Sequence, residues 1–170
     1  MLMIFQDKSI FKSNSDIDGY TKDIARDFVR TARKVTGLTQ QKFAERMGLT
    51  VTRFTRIELC DRGCPTLETL RRVAEAANKK LVITSGGIVF TVSDRQDVRR
   101  VARQILHGVM SSGLYQAELV RRTGLGKETL ARIQAPIANE RDVKSGNYGL
   151  KTMVRIAAAA GKKLEIRLGD

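Results

Sequence analysis

The chain carries an internal repeat, and this repeat constrains the fold more than any other feature of the sequence. Residues 38–58 align without gaps on residues 114–134, with 7 identities in 21 positions. Residues 67–83 align on residues 150–166, with 10 identities in 17 positions. Two blocks that recur in the same order predict two copies of one supersecondary unit, because similar segments should adopt the same local structure.

The two units should differ mainly in one loop. The offset between aligned residues is 76 in the first block and 83 in the second, so the second unit has seven extra residues. They fall in the polar stretch 135–149, which predicts an enlarged loop. We therefore expect a first unit at residues 1–87 and a second unit at residues 88–170.

Apolar residues recur at helical spacing in both units, which predicts a mainly α fold. In the first unit Thr21, Thr39, Thr50 and Thr66 are candidate N-caps of four successive helices, and Gly48 should end the second of them. The residues expected to face the core of the first unit are Ile24, Phe28, Ala32, Val35, Phe43, Ala44, Met47, Leu49, Phe54 and Ile57. Those expected in the second unit are Val98, Val101, Ala102, Ile105, Val109 and Leu125.

Short β-like segments flank each unit. Residues 3–5 and 88–92 open the units, and residues 80–84 and 163–168 close them. The alternating apolar residues of the closing segments need a shared sheet to bury them, so we expect these two segments to pair and to make one chain a pseudo-dimer. The pair Gly86-Gly87 is either a hairpin turn or the joint between the units.

The charge balance indicates a polyanionic partner. The chain has 31 Lys and Arg residues against 18 Asp and Glu residues, a net charge of +13. The part before Gly87 carries +6 and the part after it +7, so both units are basic. Such an excess favours nucleic acid as the partner, although surplus Lys and Arg can also serve only to keep a surface soluble.

The sequence does not indicate a membrane protein, a zinc-binding protein or an enzyme. No stretch has the length of a membrane span, and the apolar run at residues 1–5 is too short for a signal peptide, so we expect a cytoplasmic protein with no membrane contact. Cys60, Cys64 and His107 are the only cysteines and histidine, too few for a structural zinc site. No catalytic or phosphate-binding motif is present, so we expect no metal, no cofactor and no enzymatic activity.

The most recognisable residues lie between positions 38 and 70. They are LTQQKFAERMGL at 38–49, RIE at 56–58 and PTLETL at 65–70. This pattern resembles the lambda-repressor/Cro (XRE) helix-turn-helix family. The second unit keeps Gln116, Gly124, Leu125, Arg132 and Ile133 but has Tyr115 and Gln134 where the family usually has threonine and glutamate. The closing segments are similar to the C-terminal strands of HipB-like antitoxins, which pair across a dimer.

The resemblance implies binding of double-stranded DNA, with the helix after Thr50 lying in the major groove. Arg53 could then offer two donors to guanine, while the methyl groups of Val51, Thr52 and Thr55 could contact thymine. Gln40 would bind a phosphate, although the glutamine that often braces it in the family is replaced here by Val51. The candidate DNA-binding residues of the first unit are Gln40, Gln41, Thr50, Val51, Thr52, Arg53, Thr55 and Arg56.

The second unit offers a different set of side chains at the matching positions. Glu128 could accept a hydrogen bond from a cytosine amino group, with Lys127 as its neighbour. The alternative is that these residues only cap and solvate a surface helix. The candidate DNA-binding residues of this unit are Gln116, Lys127, Glu128, Thr129 and Arg132.

Two functional hypotheses follow from the sequence. The first is a sequence-specific transcriptional regulator, expected to be a repressor, that acts as a monomeric pseudo-dimer or a homodimer. The second is an antitoxin or anti-activator that acts mainly through protein contacts with a toxin or another regulatory protein. For that role the loop from Pro136 to Tyr148 is the candidate surface.

Overall fold

The computed structural model describes residues 10–135 and 148–170, which form eight helices and three strands. The helices of the first unit are α1 Asn14–Thr36, α2 Gln40–Arg46, α3 Val51–Leu59 and α4 Leu67–Ala76. The strands are β1 Lys80–Ser85, β2 Ile88–Val92 and β3 Leu164–Gly169. The remaining helices are α5 Arg95–Met110, α6 Gln116–Thr123, α7 Lys127–Gln134 and α8 Leu150–Ala159. This part of the chain is mainly helical, as predicted; the expected opening segment 3–5 and most of the loop 135–149 lie outside the described residues.

The start of α1 differs from the sequence prediction. The sequence predicts an N-cap at Thr21, but the cap is Ser13, whose hydroxyl accepts a hydrogen bond from the Asp16 amide. Thr21 is buried inside the helix and its hydroxyl donates to the Ile17 carbonyl at 2.6 Å. The apolar face continues back to Ile17 through this threonine, so the periodicity is hidden in a polar stretch of sequence.

The other caps of the first unit are as predicted. Thr39, Thr50 and Thr66 cap α2, α3 and α4, each accepting a hydrogen bond from the backbone amide three residues on. Gly48 follows α2 with a φ of 66°, a left-handed conformation that glycine adopts without strain. The three short helices are therefore terminated locally by the residues that the sequence indicates.

Most of the predicted core residues are buried, with two kinds of exception. Val35 is 56% exposed, because Ala32 is the last buried residue of α1 and the final turn extends beyond the core. Ile24 and Ile57, together with the turn residues Leu49 and Leu125, are only partly buried, although all four pack against the core cluster.

The second unit has fewer side-chain caps than the first. Tyr115, Gly126 and Gly149 precede α6, α7 and α8, and none of them makes a side-chain cap hydrogen bond. Only α5 is well capped, by a reciprocal pair between Asp94 and Asp97. The first turns of α6, α7 and α8 therefore receive no hydrogen bond from the side chain of their cap residue.

The three strands form one antiparallel sheet in the order β2-β1-β3. Gly86 and Gly87 form the two-residue turn between β1 and β2, with φ values of 57° and 83°. Two positive φ values are what a type I′ hairpin turn requires, so this glycine pair is a hairpin turn. β1 also pairs with β3, which is the expected pairing of the two closing segments.

The β1–β3 pairing is symmetric with respect to the sequence repeat. If each residue of a pair such as Leu81–Leu168 is replaced by its counterpart in the other unit, the result, Leu164–Ser85, is again a pair of the same ladder. Ile83 pairs with Ile166, its own counterpart in the repeat. Thr66 forms an isolated bridge with its counterpart Gly149. On either side of that bridge Leu67 N donates to Tyr148 O at 2.9 Å and Leu150 N donates to Pro65 O at 3.2 Å. Exchanging each residue for its repeat counterpart turns one of these two hydrogen bonds into the other, so these contacts are symmetric with respect to the sequence repeat.

The first helix joins the two halves of the described chain. α1 packs against α4 of its own unit and against α8 and β3. The Tyr20 hydroxyl donates to the Leu164 carbonyl at 2.7 Å, and the Lys163 ammonium lies 5.5 Å from the Tyr20 ring centre. Lys151 and Asp18 form an ion pair at 2.7 Å. One hydrophobic core therefore contains residues from both units.

Candidate nucleic-acid interface

The α2-turn-α3 segment presents the first two turns of α3 to solvent. Leu49 N donates to Ala44 O at 2.9 Å, which closes the turn around Gly48. Phe54 of α3 packs on Phe43 of α2, with ring centres 5.3 Å apart, and both rings are fully buried. With Phe54 turned inward, the opposite face of α3 is left exposed.

Two arginines fix α2 against α4. Arg72 donates to Met47 O at 2.8 Å, and Arg46 donates to Ala76 O at 3.0 Å. These bonds satisfy carbonyls at the end of each helix, where no intrahelical partner exists. In the second unit Arg122, the counterpart of Arg46, donates to Ala159 O at 3.0 Å, so one of the two clamps recurs.

Three exposed arginines surround a depression beside the start of α3. Arg53 and Arg56 lie on α3, and Arg62 lies in the loop before α4. The depression has a volume of about 530 Å³ and is also lined by Thr50, Thr52 and the loop. None of the three arginines forms an ion pair with another residue in 10–135 or 148–170. Their guanidinium groups are therefore available to an external anion.

Sequence reasoning did not identify Arg62. Helix periodicity indicates which residues of α3 are exposed, but it gives no information on a loop that folds back beside the helix. The available signal was a cation in the glycine-containing loop directly after α3. The structure adds this residue to the predicted set.

A buried carboxylate positions Gln40 at the start of α2. Glu58 is 3% exposed and accepts hydrogen bonds from the Gln40 side-chain amide and from Arg33 Nε, the latter at 3.1 Å. The sequence suggested that Gln40 lacks a brace because Val51 has replaced the usual glutamine. The structure corrects this: Glu58, from the last turn of α3, orients the amide instead.

The predicted DNA-binding residues of the first unit differ in their exposure to solvent. Thr50, Val51, Thr52, Arg53 and Arg56 are exposed together at the start and along one face of α3. Thr55 is half-buried, contrary to the prediction, because it lies next to the inward-facing Phe54 on the side toward the core. Gln41 is exposed on α2, where its amide donates to Glu45 at 3.1 Å.

The matching surface of the second unit carries an acidic group at its helix start. Lys127, Glu128 and Arg132 are exposed on α7, while Thr129 and Gln116 are half-buried. The Glu128 carboxylate folds back toward Gly126, since a Cβ at that glycine would lie 2.9 Å from Glu128 Oε2. A carboxylate there interacts favourably with the helix dipole but opposes the approach of a phosphate.

The second unit also lacks the buried network around Gln40. Gln134 stands where the first unit has Glu58, and its amide contacts Met110 Sδ at 2.8 Å. Glu118 instead binds Arg121 and Arg122, each at 2.6 Å. Hydrogen bonds from these two guanidinium groups lower the pKa of Glu118 to about 2. The carboxylate of α6 is thus paired within the chain, and the helix keeps a net charge of +1.

The cysteines and the histidine form no reactive arrangement with other described residues. Cys60 is 2% exposed, and burial raises the pKa of its thiol to about 11, so it stays protonated. His107 is exposed, with Ser111 Oγ 3.4 Å from its Nδ1. In the described ranges no carboxylate is hydrogen-bonded to the histidine ring.

Comparison with known proteins identifies one family. The helix-turn-helix family model HTH_3 matches residues 29–83, about a third of the chain, from the second half of α1 into β1. The match confirms the helix-turn-helix resemblance of the first unit, which is typical of DNA-binding transcription regulators of the XRE type. Searches of curated proteins and of solved structures gave no match.

Within the described part of the chain, no helix combines the length and the apolar character that a bilayer crossing requires.

Proposed function

We propose that this protein is a transcription regulator that binds a specific double-stranded DNA site and reads the major groove through α3. The observation that carries the proposal is the cluster of Arg53, Arg56 and Arg62 along the exposed face of α3 and the loop that follows it. It lies inside the segment that matches the helix-turn-helix family. Arg53 is suited to read a guanine, and Arg56 and Arg62 are suited to bind phosphates on either side.

We also propose that one chain acts as a pseudo-dimer. The self-matching pairs Ile83–Ile166 and Thr66–Gly149 support a two-fold relation between the units. In such an arrangement α3 and α7 would face successive major grooves, about one helical turn or roughly 34 Å apart. The β1–β3 pairing would then set the spacing between the two recognition helices.

The two recognition helices should contribute unequally. α3 offers arginines that have no ion-pair partner among the described residues, while α7 begins with Glu128 folded over its N-terminus. A regulator with these two helices should prefer two unlike half-sites, with the stronger contacts on the half bound by α3. We infer repression as its action, because a protein that covers two successive grooves of a promoter blocks access to it.

Selection of bound duplexes from a random library tests this proposal. The expected result is enrichment of a site with two half-sites of unequal information content. Arg53→Ala should remove the preference at one base position, whereas Lys80→Ala, which removes an exposed cation beyond the end of α4 that is remote from the depression, should leave the selected site unchanged. Retention of random and selected duplexes to the same extent would overturn the proposal.

A further inference from the structure

The outer edge of the sheet at β2 is open. β2 lies at the end of the strand order, and no other strand in the described ranges pairs with its outer side. Its residues, Ile88 to Val92, include no charge and no proline, and Ile88 and Val89 are 53% and 55% exposed. Edge strands of this length usually carry charges, proline or a covering segment, which prevents unwanted pairing. An uncharged, exposed edge therefore suits pairing with another strand.

The register shows which backbone groups face outward. Ser85 and Ile88 flank the two-residue turn, so they form a hydrogen-bonded pair, and such pairs alternate along an antiparallel ladder. Ile88 and Phe90 thus direct their amides and carbonyls toward β1. Val89 and Thr91 direct theirs outward, which leaves two donors and two acceptors along the open edge.

A groove with a basic wall runs beside this edge. It has a volume of about 480 Å³ and lies between Ile88 and Phe90 of β2 and the exposed face of α5. Arg103 lines it and forms no ion pair with any described residue, while Arg100 bonds to Asp97. Lys162 reaches across one end and donates to Gly108 O at 3.3 Å. The groove therefore combines an apolar floor with positive charge.

We propose that the β2 edge is the docking site for an extended segment of a partner protein in which apolar and acidic residues alternate. The segment adds a fourth strand to the sheet through hydrogen bonds to Val89 and Thr91. Because side chains alternate between the two faces of a strand, its acidic residues lie on the groove side, where their methylene groups pack on Ile88 and Phe90 and their carboxylates face Arg100 and Arg103. Its apolar residues lie on the opposite face, beside the exposed Val89. This surface is distinct from the α3 surface to which DNA binding is assigned.

Charge and backbone hydrogen bonding favour an acidic peptide segment over two other partners, a second copy of the chain and duplex DNA. A second copy paired edge to edge through β2 would bring Arg100 and Arg103 of one chain toward the same residues of the other, and each chain carries a net charge of +13. Duplex DNA carries the right charge but has no backbone amides with which to complete a strand edge. An acidic peptide segment meets both requirements.

The test uses two short synthetic peptides, one alternating valine with glutamate and one alternating valine with lysine, and three variants of the full chain. We expect the acidic peptide alone to bind and to shift the amide resonances of Val89 and Thr91. Val89→Pro removes an outward N–H without removing a bond of the β1–β2 ladder, and it should weaken binding about tenfold. Val89→Thr keeps the N–H and the charge, so it should bind like the parent chain.

Two charge variants provide a second test that does not depend on the Val89→Pro substitution. Arg103→Glu should weaken binding of the acidic peptide, whereas Lys22→Glu makes the same change in net charge away from the groove and should not. Circular dichroism melts establish that each variant is folded. Equal binding to Val89→Pro and Val89→Thr, or equal loss in both charge variants, would overturn the proposal. So would competition by a DNA duplex for the groove, or self-association of the chain that Val89→Pro abolishes.

Discussion

At the scale of single residues, base recognition in this account depends on Arg53. Its side chain is exposed on the first turn of α3 and has no ion-pair partner among the described residues. Arg62, in the neighbouring loop, carries the same charge but lies outside α3, the helix that we propose enters the major groove. The two residues should therefore contribute differently to binding, one to specificity and the other to affinity for any duplex.

Replacement of each arginine by alanine tests this difference. Arg53→Ala should cost about 1 to 3 kcal/mol on the preferred site and relax one base position, because a bidentate contact to guanine is lost. Arg62→Ala should weaken binding to preferred and random duplexes alike and should reduce the salt dependence of binding. Fluorescence anisotropy titrations with both duplexes at several salt concentrations measure these effects. An equal loss on both duplexes for Arg53→Ala would make Arg53 a phosphate contact.

Sequence alone predicted the exposed residues of this site better than their partners. Helical spacing identified Arg53 and Arg56, because exposure on a short amphipathic helix follows from its period. It did not identify the bond between Gln40 and Glu58, since those residues are far apart in sequence and meet only when α2 and α3 fold against each other. Arg62 was missed for the same reason, as loop conformation has no sequence period.

At the scale of secondary-structure elements, the two units differ most in how their helices begin. Thr39 accepts a hydrogen bond from the Lys42 amide at the start of α2, whereas Tyr115 at the equivalent position makes no such bond and is 82% exposed. Both cap residues have extended backbone conformations. The backbone at Tyr115 therefore has the conformation of an N-cap residue, but the tyrosine side chain makes no capping hydrogen bond.

Exchange of cap residues across the repeat measures this difference. Thr39→Ala should lower the free energy of unfolding by about 1 kcal/mol, because an amide at the start of α2 loses its partner. Tyr115→Ser should raise it by about 0.5 to 1 kcal/mol, because a hydroxyl becomes available to the first turn of α6. Urea denaturation followed by circular dichroism gives both values. A decrease in stability for Tyr115→Ser would show that the tyrosine ring contributes packing that its exposure does not indicate.

The ion pairs of α6 predict a dependence of stability on pH. Glu118 has its pKa lowered to about 2 from a usual value near 4.5, by hydrogen bonds from Arg121 and Arg122. Above the usual value the carboxylate is charged in both folded and unfolded chains, so the stabilisation is fully present. As the pH falls toward 2 the unfolded chain takes up the proton more readily, and the stabilisation is lost. The change should be small, because the pair is exposed to solvent.

Comparison with Glu118→Gln isolates this contribution. The parent chain should lose more stability than the variant between about pH 5 and pH 2, since the glutamine does not titrate. Unfolding in urea at a series of pH values measures both chains. Parallel stability curves for the two proteins would contradict the assignment.

At the scale of the whole molecule, the helices and the strand pairing predicted from the repeat are present, while the pseudo-dimer stays a prediction. Two similar blocks and two closing segments predicted two sets of helices and a pairing of strands, and the β1–β3 ladder is present. The similarity between the two units could not predict the β1–β3 register or the packing of α1 on α8. Those contacts depend on side chains that differ between the two units. Nor could the similarity predict the long N-terminal extension of α1, whose polar residues hide the apolar face.

The most direct test of the central proposal is footprinting of one selected duplex, combined with the mass of the complex in solution. The account predicts one chain per duplex, protecting two unlike half-sites whose centres lie about one helical turn apart. Lys127→Ala should then weaken protection of one half-site, and Arg53→Ala should weaken protection of the other. A symmetric site occupied by two chains, with protection that responds to Arg53→Ala on both halves and to Lys127→Ala on neither, would contradict the pseudo-dimer and leave α3 as the only recognition helix.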